Sequence, residues 1–125
     1  MKLTELESWS IARLGYLYYS REHFTEAEAI FAGLATLCPH DHYCWHVLGL
    51  IARRQKSHIQ SVQYFQHALK LAPDAYASRV AMAETLFEAG QIREAREALA
   101  TLQNHPQPAP EAVRRGQVLW ARWSK

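Results

Sequence analysis

Apolar residues recur along this chain at steps of three and four. Phe24, Ala27, Phe31 and Leu34 form one series, Val62, Phe65, Ala68 and Leu69 a second, and Ile92, Ala95, Leu99 and Leu102 a third. That period is a helix face, not the alternation of a strand. Between them lie Ile11, Leu14, Gly15 and Tyr18, then Trp45, Leu48, Gly49 and Ala52, then Met82, Ala83 and Leu86. Polar residues mark the boundaries. Thr4 with Glu7 is a capping box that starts a first helix near Glu5 and carries it to about Ser20. Thr25 with Glu28 reads as a second box, for a helix ending before Pro39. Asp41 is placed to cap a third helix, through Trp45 to about Gln55, and a turn at Ser57 leads into a fourth, to about Ala72. Pro73-Asp74 restarts the chain, and Gly90 divides a fifth helix from a sixth.

The series repeat. Leu14-Gly15 and Leu48-Gly49 are 34 residues apart, as are Pro39 and Pro73. A third copy is worn, with Arg79 in the place of Trp45 and Gln107 in the place of Pro73. Each unit sets a small residue, Gly15, Gly49 or Ala83, on the first helix where the second must approach closely. One such hairpin cannot bury its stripe alone, whereas stacked hairpins share a continuous core. After Leu102 the pattern changes. Asn104 to Pro110 holds Pro106, Pro108 and Pro110, which reads as a stiff extended connector. Val113, Gly116, Leu119, Trp120 and Trp123 then return to helical spacing, which predicts a seventh helix covering the last repeat, its two Trp also offering a face to a partner.

With Trp45, Leu48, Gly49, Ser61, Phe65, Ala68 and Pro73 in these slots, the chain resembles a three-repeat tetratricopeptide protein over roughly Ser8 to Pro106. The resemblance implies an all-α fold: three helix hairpins in a right-handed superhelix plus a C-terminal capping helix. The expected organisation is one domain, 1–125, with repeats at about 8–41, 42–75 and 76–106, a Pro-rich connector at 105–110 and a C-terminal helix at 111–123.

First helices of such a stack line a concave groove. On the third helix Tyr43, His46, Leu50 and Arg53 fall on a different face from the packing stripe, at about 100° per residue. The matching slots 34 residues away are Trp9, Ala12, Tyr16 and Tyr19, and Ala77, Val80, Glu84 and Phe87. An ordinary solvated face would be charged there, and this one is rich in aromatic rings. The candidate peptide-binding groove is therefore Trp9, Tyr16, Tyr19, Tyr43, His46, Leu50, Val80, Glu84 and Phe87, suited to an extended apolar segment, with Glu84 and Glu88 able to meet a basic ligand residue. Tetratricopeptide grooves that clamp a C-terminal carboxylate present Lys, Arg and Asn where this chain has Ala12 and Tyr16, so that mode is not expected.

Composition narrows the remainder. The chain has 125 residues, is 49% hydrophobic and carries a formal net charge of only +2, too balanced to argue for nucleic acid. Its basic residues, Arg53, Arg54 and Lys56 among them, are dispersed, and the dipole at a helix end accounts for those three. The acids near the start exclude a secretory signal, and no run is apolar enough to span a bilayer, so a cytoplasmic protein with reduced Cys38 and Cys44 is expected. His42 and His46 have a spacing that can chelate a metal, but Cys44 points about 160° away from His46 on the same helix. Capping and groove lining explain that cluster better, and no metal or cofactor is expected. No catalytic constellation can be placed on this scaffold, and an enzyme is not expected.

Two segments carry a narrower resemblance: Leu37-Cys38, Asp41-His42-Tyr43 and Leu48-Gly49 in the first, and Ala83-Glu84, Leu86, Gly90, Glu94-Ala95 and Leu99 in the second. They are similar to the class II, translocator-type chaperones of bacterial type III secretion. That resemblance implies a cytoplasmic chaperone whose aromatic groove holds an apolar segment of a protein client, a translocator, needle or export-apparatus subunit, and keeps it export-competent. The family usually has a longer N-terminal helical region used in dimerisation, where here about seven residues precede the first repeat. A homodimer and a heterodimer are both left open. A general scaffold joining folded partners is the alternative.

Overall fold

The computed structural model describes residues 3–103. Six helices follow one another: α1 (Glu5–Ser20), α2 (Phe24–Leu37), α3 (His42–Arg54), α4 (His58–Leu71), α5 (Tyr76–Glu88) and α6 (Ile92–Gln103), with no strand among the described residues. The expected connector at 105–110 and seventh helix at 111–123, with Trp120 and Trp123, lie outside them. Consecutive helices pack pairwise, and α5 also touches α3. The result is three stacked antiparallel hairpins.

Local chemistry sets most boundaries. Thr4 accepts from the Glu7 amide at 3.1 Å while Glu7 accepts from the Thr4 amide at 2.9 Å, the reciprocal box expected. Those hydrogen bonds hold the Glu7 carboxyl below its ordinary range. Asp41 accepts from the Tyr43 amide at 3.0 Å and opens α3. The second expected box does not form. α2 begins at Phe24, one residue before Thr25, and its N-cap, His23, makes no side-chain cap. The reason lies in the preceding turn, where Glu22 is left-handed (φ 63°) and the His23 amide reaches back to the Tyr18 carbonyl at 2.9 Å. The chain is delivered into α2 already ordered, so no side-chain cap is needed.

The close helix contacts fall where the small residues are. A Cβ added at Gly15 would lie 2.6 Å from the Phe31 ring, and one at Gly49 2.6 Å from the Phe65 ring. In the third hairpin the corresponding pair is Ala83 with Leu99, a methyl gained where a ring is lost, and both are buried. Two apolar clusters result. Ala27, Phe31, Leu34, Cys44, Val47, Leu48 and Ile51 fill the first, while Phe65, Val80, Met82, Ala83, Leu86, Ala95 and Leu99 fill the second. The buried hydroxyls are satisfied: Ser61 donates to the Gly49 carbonyl at 2.7 Å and Thr85 to the Ala81 carbonyl at 2.8 Å.

Candidate binding groove

The faces of α1, α3 and α5 that do not pack on their own hairpin partners carry the expected residues in three different states. Trp9 is 59% exposed, with the Arg13 guanidinium 5.3 Å from its ring centre. Tyr16, Tyr19 and Tyr43 are half-buried, with Tyr16 between the other two: it lies 6.2 Å from Tyr19, 5.9 Å from Tyr43 and 5.8 Å from Phe31, centre to centre. Burial, and then the hydroxyl of Tyr16 beside it, push the Tyr43 phenol well above its ordinary pKa. Tyr16 and Tyr43 therefore join the first hairpin to the second with one edge and leave the other toward solvent.

Farther along, His46 and Leu50 are half-buried on α3, and Phe87 is half-buried on α5 against the second cluster. His46 Nδ1 lies 2.8 Å from the Ser78 hydroxyl, and its ring stands 5.6 Å from that of Phe65. Burial, with His42 a smaller cause, lowers the imidazole to about 4. Val80 is different. It is only 3% exposed and belongs to the second cluster, because α5 is flanked by α3, α4 and α6 together. Cys44 is also buried, with its thiol toward Asp41 at 3.9 Å and pushed up to about 12 by burial first and the carboxylate second. Among the described residues no group of three or more His, Cys, Asp or Glu is placed to hold a metal ion.

The arginines do more than complement a helix dipole. Arg53 pairs with both Glu88 and, at 3.5 Å, Glu84, so these acids meet a cation of their own chain. Arg54, the next residue, reaches the other way: it pairs with Glu22 at 2.7 Å and its guanidinium covers the rings of Phe24 (5.3 Å) and Tyr19 (5.8 Å). The middle hairpin is thus tied forward by one arginine and backward by the other. The signal in the sequence is opposite charge about one repeat apart, Arg53 with Glu84 and Glu88 and Arg54 with Glu22 of the turn after α1, but only the adjacency of the hairpins gives it meaning.

No helix among the described residues is long and apolar enough to cross a membrane. No curated protein matches the sequence. Solved structures do. The type III secretion chaperone SycD of Yersinia enterocolitica, in complex with a peptide of the translocator YopD, superposes with a TM-score of 0.83 at 17% identity over 92% of this chain and 90% of that one. PcrH, from Pseudomonas aeruginosa, in complex with the chaperone binding region of PopD, gives 0.83 at 18% identity over 98% and 94%. The TPR domain of Sgt2 from Aspergillus fumigatus gives 0.81 at 15% identity over 97% and 80%. At such identities the likeness is one of fold, shared by secretion chaperones and other TPR domains. The sequence itself matches the tetratricopeptide repeat family over residues 52–115, half of its length, and the hairpins described above have that architecture. This chain belongs to the tetratricopeptide repeat family.

Proposed function

We propose that this protein is a cytoplasmic chaperone whose concave groove binds an extended apolar segment of a type III secretion client and keeps it soluble for export. The observation that carries the reading is the chemistry of the first-helix faces: Trp9, Tyr16, Tyr19, Tyr43, His46, Leu50 and Phe87 are partly or well exposed where a solvated face would be charged. Arg53 pairs with both Glu84 and Glu88 at one end, which offsets part of their charge and leaves apolar contact as the main source of affinity along the rest of the surface. Val80 stands behind this surface as packing. Two of the solved structures similar in fold hold a segment of another protein, SycD a peptide of the translocator YopD and PcrH the chaperone binding region of PopD, which supports the same use of the groove here. Binding is the expected activity, without catalysis.

The test uses the full chain and a client identified by co-purification from the native host. Ala77 is exposed and shares the register of Trp9 and Tyr43, whereas Ile59 is exposed on α4, a second helix. Ala77→Arg is expected to weaken client binding by at least about tenfold, with Ile59→Arg nearly neutral. A saturating client should raise stability, by about 2.7 kcal/mol at 100 times its dissociation constant. Binding that ignores Ala77→Arg, or partners that are folded proteins held by salt-sensitive contacts, would replace the chaperone reading with that of a general scaffold.

A further inference from the structure

Unbalanced charge gathers at two opposite ends of the proposed groove. At the α1 rim the exposed Arg13 lays its guanidinium over Trp9, 5.3 Å from the ring centre, and among the described residues it joins no ion pair. At the α5 end the single guanidinium of Arg53 serves two carboxylates, and Glu88, the outer one, is exposed where Glu84 is half-buried. Between these ends stand Tyr16, Tyr43, His46 and Leu50, half-buried, with no carboxylate, ammonium or guanidinium among them. Arg54, beside Tyr19, is matched by Glu22 and adds nothing to either end.

A segment lying across such a surface passes a cation first and an exposed carboxylate last. We infer that the client segment carries an acidic residue where it passes Arg13 and a basic residue where it passes Glu88, with apolar residues between. This rests on the groove reading above and adds to it the order and spacing of the client's charges. The spacing follows from the stack: α1, α3 and α5 are successive first helices, about 10 Å apart at each step, so the two ends lie about 20 Å apart across the helices. Arg13 shares the register slot of Ala81, seven residues before Glu88, which adds about 10 Å along them. The diagonal is about 22 Å, so acid and base are separated by roughly seven steps of extended chain, with about six residues between them. Both ends are open to solvent, so the charges act on discrimination and association rate more than on affinity.

Fluorescence anisotropy of the full chain with synthetic peptides tests this. Each peptide has a six-residue core of Leu, Val and Ser, closed by Gln and Gln, Glu and Lys, Glu and Glu, or Lys and Lys. The Glu and Lys peptide should bind about three to five times tighter than the Gln peptide at low salt, and the gain should vanish at high salt. Arg13→Gln should remove the part due to Glu, and Glu88→Gln the part due to Lys. The Gln peptide, which should bind all three proteins alike, is the control for folding. A two-residue core should recover only one of the two gains. A benzophenone placed next to Lys should cross-link to α5, and one placed next to Glu to α1. Equal affinity of all four peptides, a preference that follows net charge alone, gains that survive both variants, or cross-links to the opposite helix would each overturn the inference and leave the groove reading intact. Binding of none of the peptides, the Gln peptide included, would overturn the groove reading and this inference with it.

Discussion

The ring of Phe65 can sit where it does because position 49 has no side chain. A Cβ there would meet three ring atoms at 2.6 to 2.8 Å, closer than packed atoms tolerate. Gly49→Ala is therefore expected to destabilise by about 1 kcal/mol or more, since overpacking outweighs the helix-propensity gain of Ala over Gly. The third hairpin shows the remedy, Ala83 facing Leu99, so adding Phe65→Leu should recover stability beyond the sum of the single changes. Urea denaturation of the four-member cycle measures it; strict additivity would mean the two positions do not touch. His46 gives a pH test. Its folded pKa, about 4, lies below the ordinary 6.5 because burial disfavours the imidazolium. In that window the unfolded chain binds more protons, so the stability is fully present above about pH 6.5 and is lost as pH falls toward 4, on the order of 3 kcal/mol. His46→Gln should flatten that slope in melts between pH 7 and 4.5.

Each hairpin closes through the same turn. Glu22, Lys56 and Gly90 have φ of 63°, 65° and 85° at successive 34-residue steps. In each case an amide five residues on closes the helix end: His23 to Tyr18, Ser57 to Ala52 and Gln91 to Leu86, at 2.9, 2.9 and 2.8 Å. Only the third turn uses glycine, the residue for which a left-handed backbone carries no steric cost. Lys56→Gly is expected to stabilise the protein by about 0.5–1 kcal/mol, the relief of left-handed strain less the added freedom of the unfolded chain. A thermal melt showing destabilisation would mean the lysine is not strained. The sequence displays Gly90 plainly but not its two counterparts, because Glu22 and Lys56 adopt their conformation from hairpin closure rather than from their own preference. The same closure explains why Thr25 and Glu28 resemble a cap yet do not act as one. Where a boundary is fixed by adjacent side chains, as at Thr4 and Asp41, the sequence is sufficient.

For the whole molecule, the 34-residue register puts the three tyrosines, His46 and Leu50 at half-buried positions of α1 and α3, because equivalent slots of a repeat face the same way. It fails for Val80 and for the ion pairs, which depend on how many helices flank α5 and on which hairpins adjoin. Those pairs support distinct predictions. Arg53→Ala leaves Glu84 and Glu88 without that shared cation in a half-buried setting and should cost about 1–2 kcal/mol. Arg54→Ala removes a more exposed pair and ring contacts worth at most about 1 kcal/mol. Urea titrations at low and high salt separate them, with the Arg54 contribution the more strongly screened. Equal losses with equal salt dependence would contradict the burial described. In packing terms the hairpins are near copies, each with its small residue, facing apolar group and left-handed turn. The adjacent arginines occur in one of them only; their counterparts are Tyr19-Ser20 and Phe87-Glu88. A hairpin exchanged with another molecule, or docked out of turn, could still bury its apolar stripe but could not satisfy Glu22 on one side and Glu84 with Glu88 on the other. The arginine pair thus acts as an address, marking the second hairpin as the middle one and penalising shuffled assemblies that hydrophobic contact alone would accept.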